Sequence, residues 1–181
     1  AALDEYQIEG IGHNIPFLHS VYRSHDFCAG NISTAFIENN YPEGFKGETL
    51  TEEERSKLAA LVTFAYHTKD LRDQAISGRL DPFQENADKE YVIKFEDQWL
   101  STKIQKHDDE QIVNVNDLEL RFVTNWEPGD TLIKAEFNKN TIVARLRFQD
   151  EGIAVEYRGS LNIVIVCNEY EKELFKFIKE P

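Results

Sequence analysis

Three histidines, His13, His19 and His25, recur every six residues near the start of the chain and are the first candidates for metal or proton chemistry. A six-residue step does not return to one face of a helix, so the three read as surface or packing histidines and not as a ligand set. Asp108-Asp109-Glu110 offers three carboxylates in a predicted turn. No glycine-centred calcium loop surrounds them, which makes them a solvated hairpin tip. Gly10-Ile11-Gly12 lacks the third glycine and the preceding strand of a dinucleotide-binding turn, and Asn31-Ile32-Ser33 matches the glycosylation sequon in a chain that shows no secretory leader. Nothing has the pattern of a nucleophile elbow or a P-loop. The residues therefore point away from catalysis: no catalytic, cofactor-binding or metal-ligating set is expected.

Composition narrows the partners. A formal net charge of −13 opposes binding to a phosphate backbone or an anionic membrane surface. Neither nucleic acid nor a membrane is expected as partner, and no apolar run has membrane-spanning length. Two cysteines, Cys28 and Cys167, lie far apart without metal-type spacing, which suits a reducing, intracellular compartment.

The element that must organise everything else is Leu58-Ala59-Ala60-Leu61-Val62-Thr63-Phe64-Ala65-Tyr66, which is apolar nearly all the way round a helix rather than along one stripe. Thr51 with Glu54 three residues on has the capping-box arrangement, and Gly78 is a C-terminal stop, so the helix is expected over 51–78. Such a helix needs burial on every side. The rest of the chain supplies no second long helical pattern, but eight short alternating segments at about 91–96, 99–106, 111–115, 118–124, 131–137, 141–148, 153–158 and 161–167 read as strands joined by tight turns. The fold class is α+β: a long central helix surrounded by an antiparallel, about eight-stranded barrel of up-and-down connectivity. Tyr91, Ile93 and Phe95 share one face, as do Leu118, Leu120 and Phe122, and Ile142, Ala144, Leu146 and Phe148, with Arg145 and Arg147 opposite. The last strand is apolar on both faces, so its outer face is expected to be covered by a closing helix over 169–179. Trp99 reads as core or a barrel lid, whereas Trp126, followed by Glu127-Pro128-Gly129 at a loop edge, is a candidate contact residue. Ahead of the long helix, spacing predicts a helix from Asn14 with Pro16 in its first turn and a helical turn over 33–38. Residues 1–47 have too few apolar side chains for a core of their own, and fit a segment packed on a larger domain.

A family resemblance lies in specific residues. Glu9-Gly10-Ile11-Gly12-His13-Asn14-Ile15-Pro16-Phe17-Leu18, then Phe27, Gly30, Asn31-Ile32-Ser33-Thr34, Phe36-Ile37 and Tyr41-Pro42-Glu43-Gly44-Phe45, resemble the C-terminal end of a biotin carboxylase domain. Lys46-Gly47 through Leu50-Thr51 into the helix, Phe122-Val123-Thr124-Asn125-Trp126, Arg158-Gly159 and Glu173-Leu174-Phe175-Lys176-Phe177 are similar to the linker (BT) domain in alpha subunits of the propionyl-CoA carboxylase family. The resemblance implies residues 1–47 as the tail of biotin carboxylase and 48–181 as the linker domain, divided into helix 51–78, hook 79–90, barrel 91–167 and closing helix 169–179.

It also implies a non-catalytic assembly role in an ATP- and biotin-dependent ligase that forms C–C bonds, with the same region of a methylcrotonyl-CoA or other acyl-CoA carboxylase as the alternative. The parent's cofactors would be biotin and ATP with Mg or Mn, and bicarbonate would be consumed; none is expected in this stretch. Implied partners are the carboxyltransferase beta subunit and the biotin carboxylase and biotin carrier domains of the same chain, in bacterial cytoplasm or the mitochondrial matrix. The hook corresponds to Leu80, Asp81, Pro82, Phe83, Gln84, Glu85 and Asn86, where Phe83 is an aromatic anchor and Pro82 stiffens the backbone that presents it. A rival from another class is a small-ligand carrier of lipocalin type, since a barrel of about eight strands can hold one small molecule.

Overall fold

The computed structural model describes residues 14–45, 47, 49–75, 89–106 and 110–175. Five helices are described, α1 (Ile15–Arg23), α2 (His25–Cys28), α3 (Phe36–Asn40), α4 (Glu52–Gln74) and α5 (Glu169–Phe175). Between α4 and α5 come β1 (Lys89–Phe95), β2 (Gln98–Lys106), β3 (Gln111–Val115), β4 (Leu118–Thr124), β5 (Leu132–Phe137), β6 (Asn140–Gln149), β7 (Gly152–Tyr157) and β8 (Ser160–Cys167).

Local chemistry starts α4 as the sequence predicts. Thr51 Oγ1 accepts from the Glu54 backbone N–H at 3.2 Å while the Glu54 carboxylate takes the Thr51 N–H at 3.1 Å, closing the capping box. Glu52, Glu53 and Glu54 place negative charge against the positive end of the helix dipole. The helix closes at Ala75, earlier than the expected 78; Gly78 lies outside the described residues. Every residue from Leu58 to Ala65 is buried, which an amphipathic surface helix cannot achieve. Burying Leu58, Leu61, Val62 and Phe64 contributes about 1.5–3 kcal/mol each.

A closed barrel provides that burial. Its strands follow chain order with antiparallel neighbours throughout, and β1 pairs with β8 from Val92↔Cys167 to Phe95↔Val164 to complete the ring. Tyr91, Ile93, Phe95, Phe122, Ile133, Leu146, Val155 and Val164 point inward and form one core with the α4 side chains. The strand ends differ from the predicted ones by a residue or two because the turns are tighter than polar composition alone suggests. Asn138 and Lys139 both have positive φ, as do Arg158 and Gly159, the geometry of two-residue hairpins that lets pairing run up to the turn. Gly159 has a second constraint: a Cβ there would lie 2.7 Å from Pro16 Cα, so α1 packs directly on the β7–β8 turn.

Two ends of the barrel follow from α4's direction. At its N-terminal end Arg158 pairs with Glu54 and Arg55 Nη2 with Glu96 at 2.9 Å. At its C-terminal end Arg72 Nη1 donates to Pro128 O at 2.8 Å. The ring is thinnest between β4 and β5, which pair through Val123↔Glu136 and Thr124↔Ala135; there Thr124 Oγ1 donates to Lys134 O at 2.7 Å. Leu118 shares the inward face of β4 but sits at its end and is 47% exposed.

The outer face of β8 departs from expectation. Helix α5 follows the strand after Asn168 and packs on β1, beside the end where Cys167 and Val92 are buried. Over its described residues it does not cover the strand, and Leu161 and Ile163 are 61% and 42% exposed; residues 176–179 of the expected closing helix lie outside the described residues. Phe175 meets Trp99 at 5.6 Å between ring centroids, which makes Trp99 a half-buried seat for α5 on the outer face and not a core residue. In the N-terminal segment Pro16 occupies the first turn of α1 as expected, α2 follows it without a sequence signal, and the helical turn expected over 33–38 lies at Phe36–Asn40, two to three residues later. Phe17, Tyr41 and Phe45 cluster edge to face, with Phe17 5.1 Å from Tyr41 and 5.7 Å from Phe45. Leu18, Tyr22, Ile32 and Ile37 are exposed.

Candidate interaction site at the barrel mouth

The barrel's mouth at the C-terminal end of α4 brings together the end of the helix, at Gln74, and the start of the sheet, at Lys89. Helical spacing sets its side chains. Tyr66 and His67 stand one turn before Asp70, and Gln74, the last residue of α4, lies four residues beyond it on the same face. From the sheet, Lys89 and Tyr91 are two apart on β1 and project to the same side. His67 Nδ1 and the Tyr91 hydroxyl share a buried hydrogen bond of 2.9 Å, and the Tyr66 ring meets Tyr91 edge on at 5.4 Å. Above this floor the Lys89 ammonium pairs with the Asp70 carboxylate and stands 5.4 Å from the centre of the Tyr91 ring. Gln74 Nε2 donates to Asp70 Oδ2 at 2.7 Å.

The protonation states follow from these contacts. Burial lowers the His67 pKa, with the Lys89 charge adding to it and Asp70 opposing, so the imidazole is neutral at pH 7. Burial, then Asp70, pushes the Tyr66 and Tyr91 phenols up. For Asp70 burial raises the carboxyl, but hydrogen bonds from Lys89 and Gln74 outweigh it and hold the group below its ordinary range. These are the shifts of a structural network that satisfies its own charges. Among the described residues no group of three His, Cys, Asp or Glu side chains converges as a metal site.

Trp126 is the one contact candidate that falls within the described residues. The indole is 6% exposed, packs 6.1 Å from Phe64 of α4, and donates through Nε1 to Asp130 O at 2.9 Å. It is a core side chain of the barrel mouth, held by the 125–131 loop. Its burial, which turn position does not suggest, comes from the loop folding back over the ring. Leu80 through Asn86 lie outside the described residues, as do His13, Asp108 and Asp109. His19 is half-buried and His25 exposed on separate helices, and Cys28 and Cys167 are unpaired, the first exposed and the second buried. Sequence reasoning missed Asp70, Gln74 and Lys89. The available signal was opposite charge on the two residues flanking a polar stretch, one near the helix end and one at the start of the strand.

Residues 58–180 match the family described as the Propionyl-coenzyme A carboxylase BT domain, which is more than half of the chain. The chain belongs to the propionyl-CoA carboxylase BT-domain family. Likeness extends beyond that match: the propionyl-CoA carboxylase alpha chain of Ruegeria pomeroyi is 31% identical over 180 residues, covering 99% of this chain and 26% of the relative. The mitochondrial alpha chains of Mus musculus and Homo sapiens are 29% and 28% identical over 191 residues, again across 99% of this chain and 25% of theirs. This BT-family chain thus spans about a quarter of the length of the curated relatives it matches. A helix-filled closed barrel is its architecture, and Leu58 to Ala65 occupy the axis where a lipocalin-type carrier would hold its ligand.

Proposed function

We propose that this chain is the linker portion of a biotin-dependent acyl-CoA carboxylase alpha subunit, joining the biotin carboxylase to the biotin carrier and holding the carboxyltransferase beta subunit. The observation that carries the proposal is the alignment of 99% of the chain with propionyl-CoA carboxylase alpha chains over a quarter of their length. Residues 1–47 belong in this proposal to the end of the biotin carboxylase domain and 48–181 to the linker. The parent enzyme uses ATP, biotin and bicarbonate to convert propionyl-CoA to methylmalonyl-CoA, in bacterial cytoplasm or the mitochondrial matrix. This stretch contributes assembly and no reacting group, so the isolated chain cleaves no ATP in the presence of bicarbonate and carries no biotin detectable by streptavidin.

The handle for the beta subunit is the segment Leu80–Asn86. In sequence it falls between α4 and β1, whose described ends, Gln74 and Lys89, stand at the barrel mouth with Trp126 and the His67–Tyr91 pair. The test is the affinity of the full-length alpha chain for the purified beta subunit, with residues 80–86 intact and replaced by glycine and serine. Full binding after replacement removes the segment from the interface. Assay of the holoenzyme across propionyl-, methylcrotonyl- and other acyl-CoAs decides the substrate.

A further inference from the structure

A helix that is apolar on every side fits an apolar ring in more than one rotation, because hydrocarbon contacts are non-directional. Helix α4 nevertheless carries two buried polar side chains one turn apart on one face, Thr63, fully buried, and His67, 9% exposed. The other side chains from Leu58 to Ala65 are hydrocarbon. Both polar groups meet a single cross-strand pair. Tyr91 of β1 and Thr102 of β2 stand directly opposite each other in the ladder, so their side chains point to the same, inner face. Thr63 Oγ1 lies 3.1 Å from Thr102 Oγ1, and His67 Nδ1 lies 2.9 Å from the Tyr91 hydroxyl. Thr102 Oγ1 also reaches Tyr91 O at 3.4 Å, which joins the two contacts into one buried group.

Displacement of the helix breaks this group. A turn by one residue, about 100°, brings Val62 or Phe64 opposite Thr102 and takes His67 away from Tyr91. A slide of one helical turn, about 5.4 Å, sets Ala59 or His67 where Thr63 belongs. Either arrangement leaves an imidazole and a phenol buried without their partner, which a core does not tolerate cheaply. Size alone is a weaker guide. Ala59 and Thr63 let the helix lie nearest β1, β2 and β3, but Ala60 and Ala65 offer small side chains on other faces. We infer that Thr63 and His67, seated on Thr102 and Tyr91, form a two-point key that fixes the rotation and depth of α4 inside the barrel. Both ends of the helix depend on that setting. Glu54 and Arg55 face Arg158 and Glu96 at one mouth, and Arg72 faces Pro128 O at the other, in one rotation only. These end contacts are at the surface, where an ion pair holds a helix weakly. The key is independent of which partner the chain serves.

The experiment is methyl NMR of the full chain of 181 residues, with urea unfolding recorded alongside. The parent should give one set of resonances each for Leu58, Leu61 and Val62. Thr63→Val, Thr102→Val, His67→Leu and Tyr91→Phe together exchange both polar pairs for hydrocarbon of similar shape, which leaves no unpaired group behind and should preserve a cooperative transition. The same methyl groups should then split into two or more sets, the additional ones holding about a tenth or more of the intensity. Thr63→Ser with Thr102→Ser keeps the hydroxyls and should keep the single set. A single set at the parent positions in the fourfold variant overturns the key. So does splitting in the serine variant, which would assign the rotation to methyl packing. If the fourfold variant does not fold, Thr63→Val with Thr102→Val alone decides: additional sets uphold the key and a single set overturns it.

Discussion

Replacing Leu61 with aspartate tests whether α4 really is the axis of the barrel. Leu61 is fully buried at the centre of α4, between Leu58 and Phe64 along the chain and surrounded by the inward residues of the strands. Truncation alone, Leu61→Ala, removes buried methyl groups and leaves a cavity, at a loss of about 2.7–5 kcal/mol. Aspartate adds a carboxyl with no partner in that apolar surround, a further ~2–7 kcal/mol even when it is protonated. The sum reaches the whole stability of an ordinary domain, about 5–15 kcal/mol, so the variant should not fold. Leu161→Asp is the matched control, the same chemical change on the outer face of β8 where the side chain is 61% exposed, and it should shift stability by no more than about 0.5 kcal/mol. Urea titration followed by far-ultraviolet circular dichroism reads both. A cooperative transition for Leu61→Asp near the parent midpoint, or equal losses at the two leucines, would refute the enclosed-helix architecture.

Three other outcomes are expected. Phe83→Ala should weaken binding of the beta subunit by roughly 2 kcal/mol with little change in melting temperature, measured by titration of the full-length chain; equal affinities remove Phe83 as an anchor. Thr51→Ala should lose about 1 kcal/mol of stability in a thermal melt because the capping box opens, whereas Thr51→Gly should lose only a few tenths. The third concerns pH. His67 has its pKa lowered in the folded state, so the unfolded chain binds the extra proton first and stability falls as pH drops from about 7 through the unfolded value near 6.5. His67→Gln should flatten the dependence of melting temperature between about pH 7 and 5.5, and a slope identical to the parent's would assign the effect to another group. Asp70, held low by Lys89 and Gln74, adds its own loss only at more acid pH, below the ordinary carboxylate range.

Secondary structure was readable because its signals are local. The Thr51–Glu54 pair and the unbroken apolar stretch from Leu58 specify a helix and its total burial within one segment, and alternation such as Ile142, Ala144, Leu146 specifies a strand and its inner face. Closure of those strands around that helix followed from having nothing else to cover it. What sequence could not supply were relations between distant segments. Trp126 looks like a loop residue until Phe64 is beneath it and Asp130 turns back to accept its N–H. The apolar outer face of β8 suggested a cover, but where α5 lies is decided by the direction in which the chain leaves Cys167, and that leaves Leu161 and Ile163 open. The Asp70–Lys89 pair was equally hidden, since the two residues are nineteen positions apart and meet only because the helix and the first strand share one end of the barrel.

The order in which the barrel encloses its helix bears on how the protein is made. Helix α4 precedes all eight strands, and the ring closes only when β8, the last, pairs with β1, the first. On a ribosome adding about 5–20 residues per second, the apolar surface of α4 therefore waits roughly 5–20 seconds for its final wall. Through that interval a helix greasy on every side has no water-compatible face to offer. Enclosure must come by curling of the sheet, since a closed ring cannot be threaded afterwards, and the β1–β8 contact is among the most sequence-distant in the fold and hence slow to form. Nascent chains of this kind are natural clients for holdase chaperones, and substitutions that delay closure would lower yield while leaving the finished molecule as stable as before.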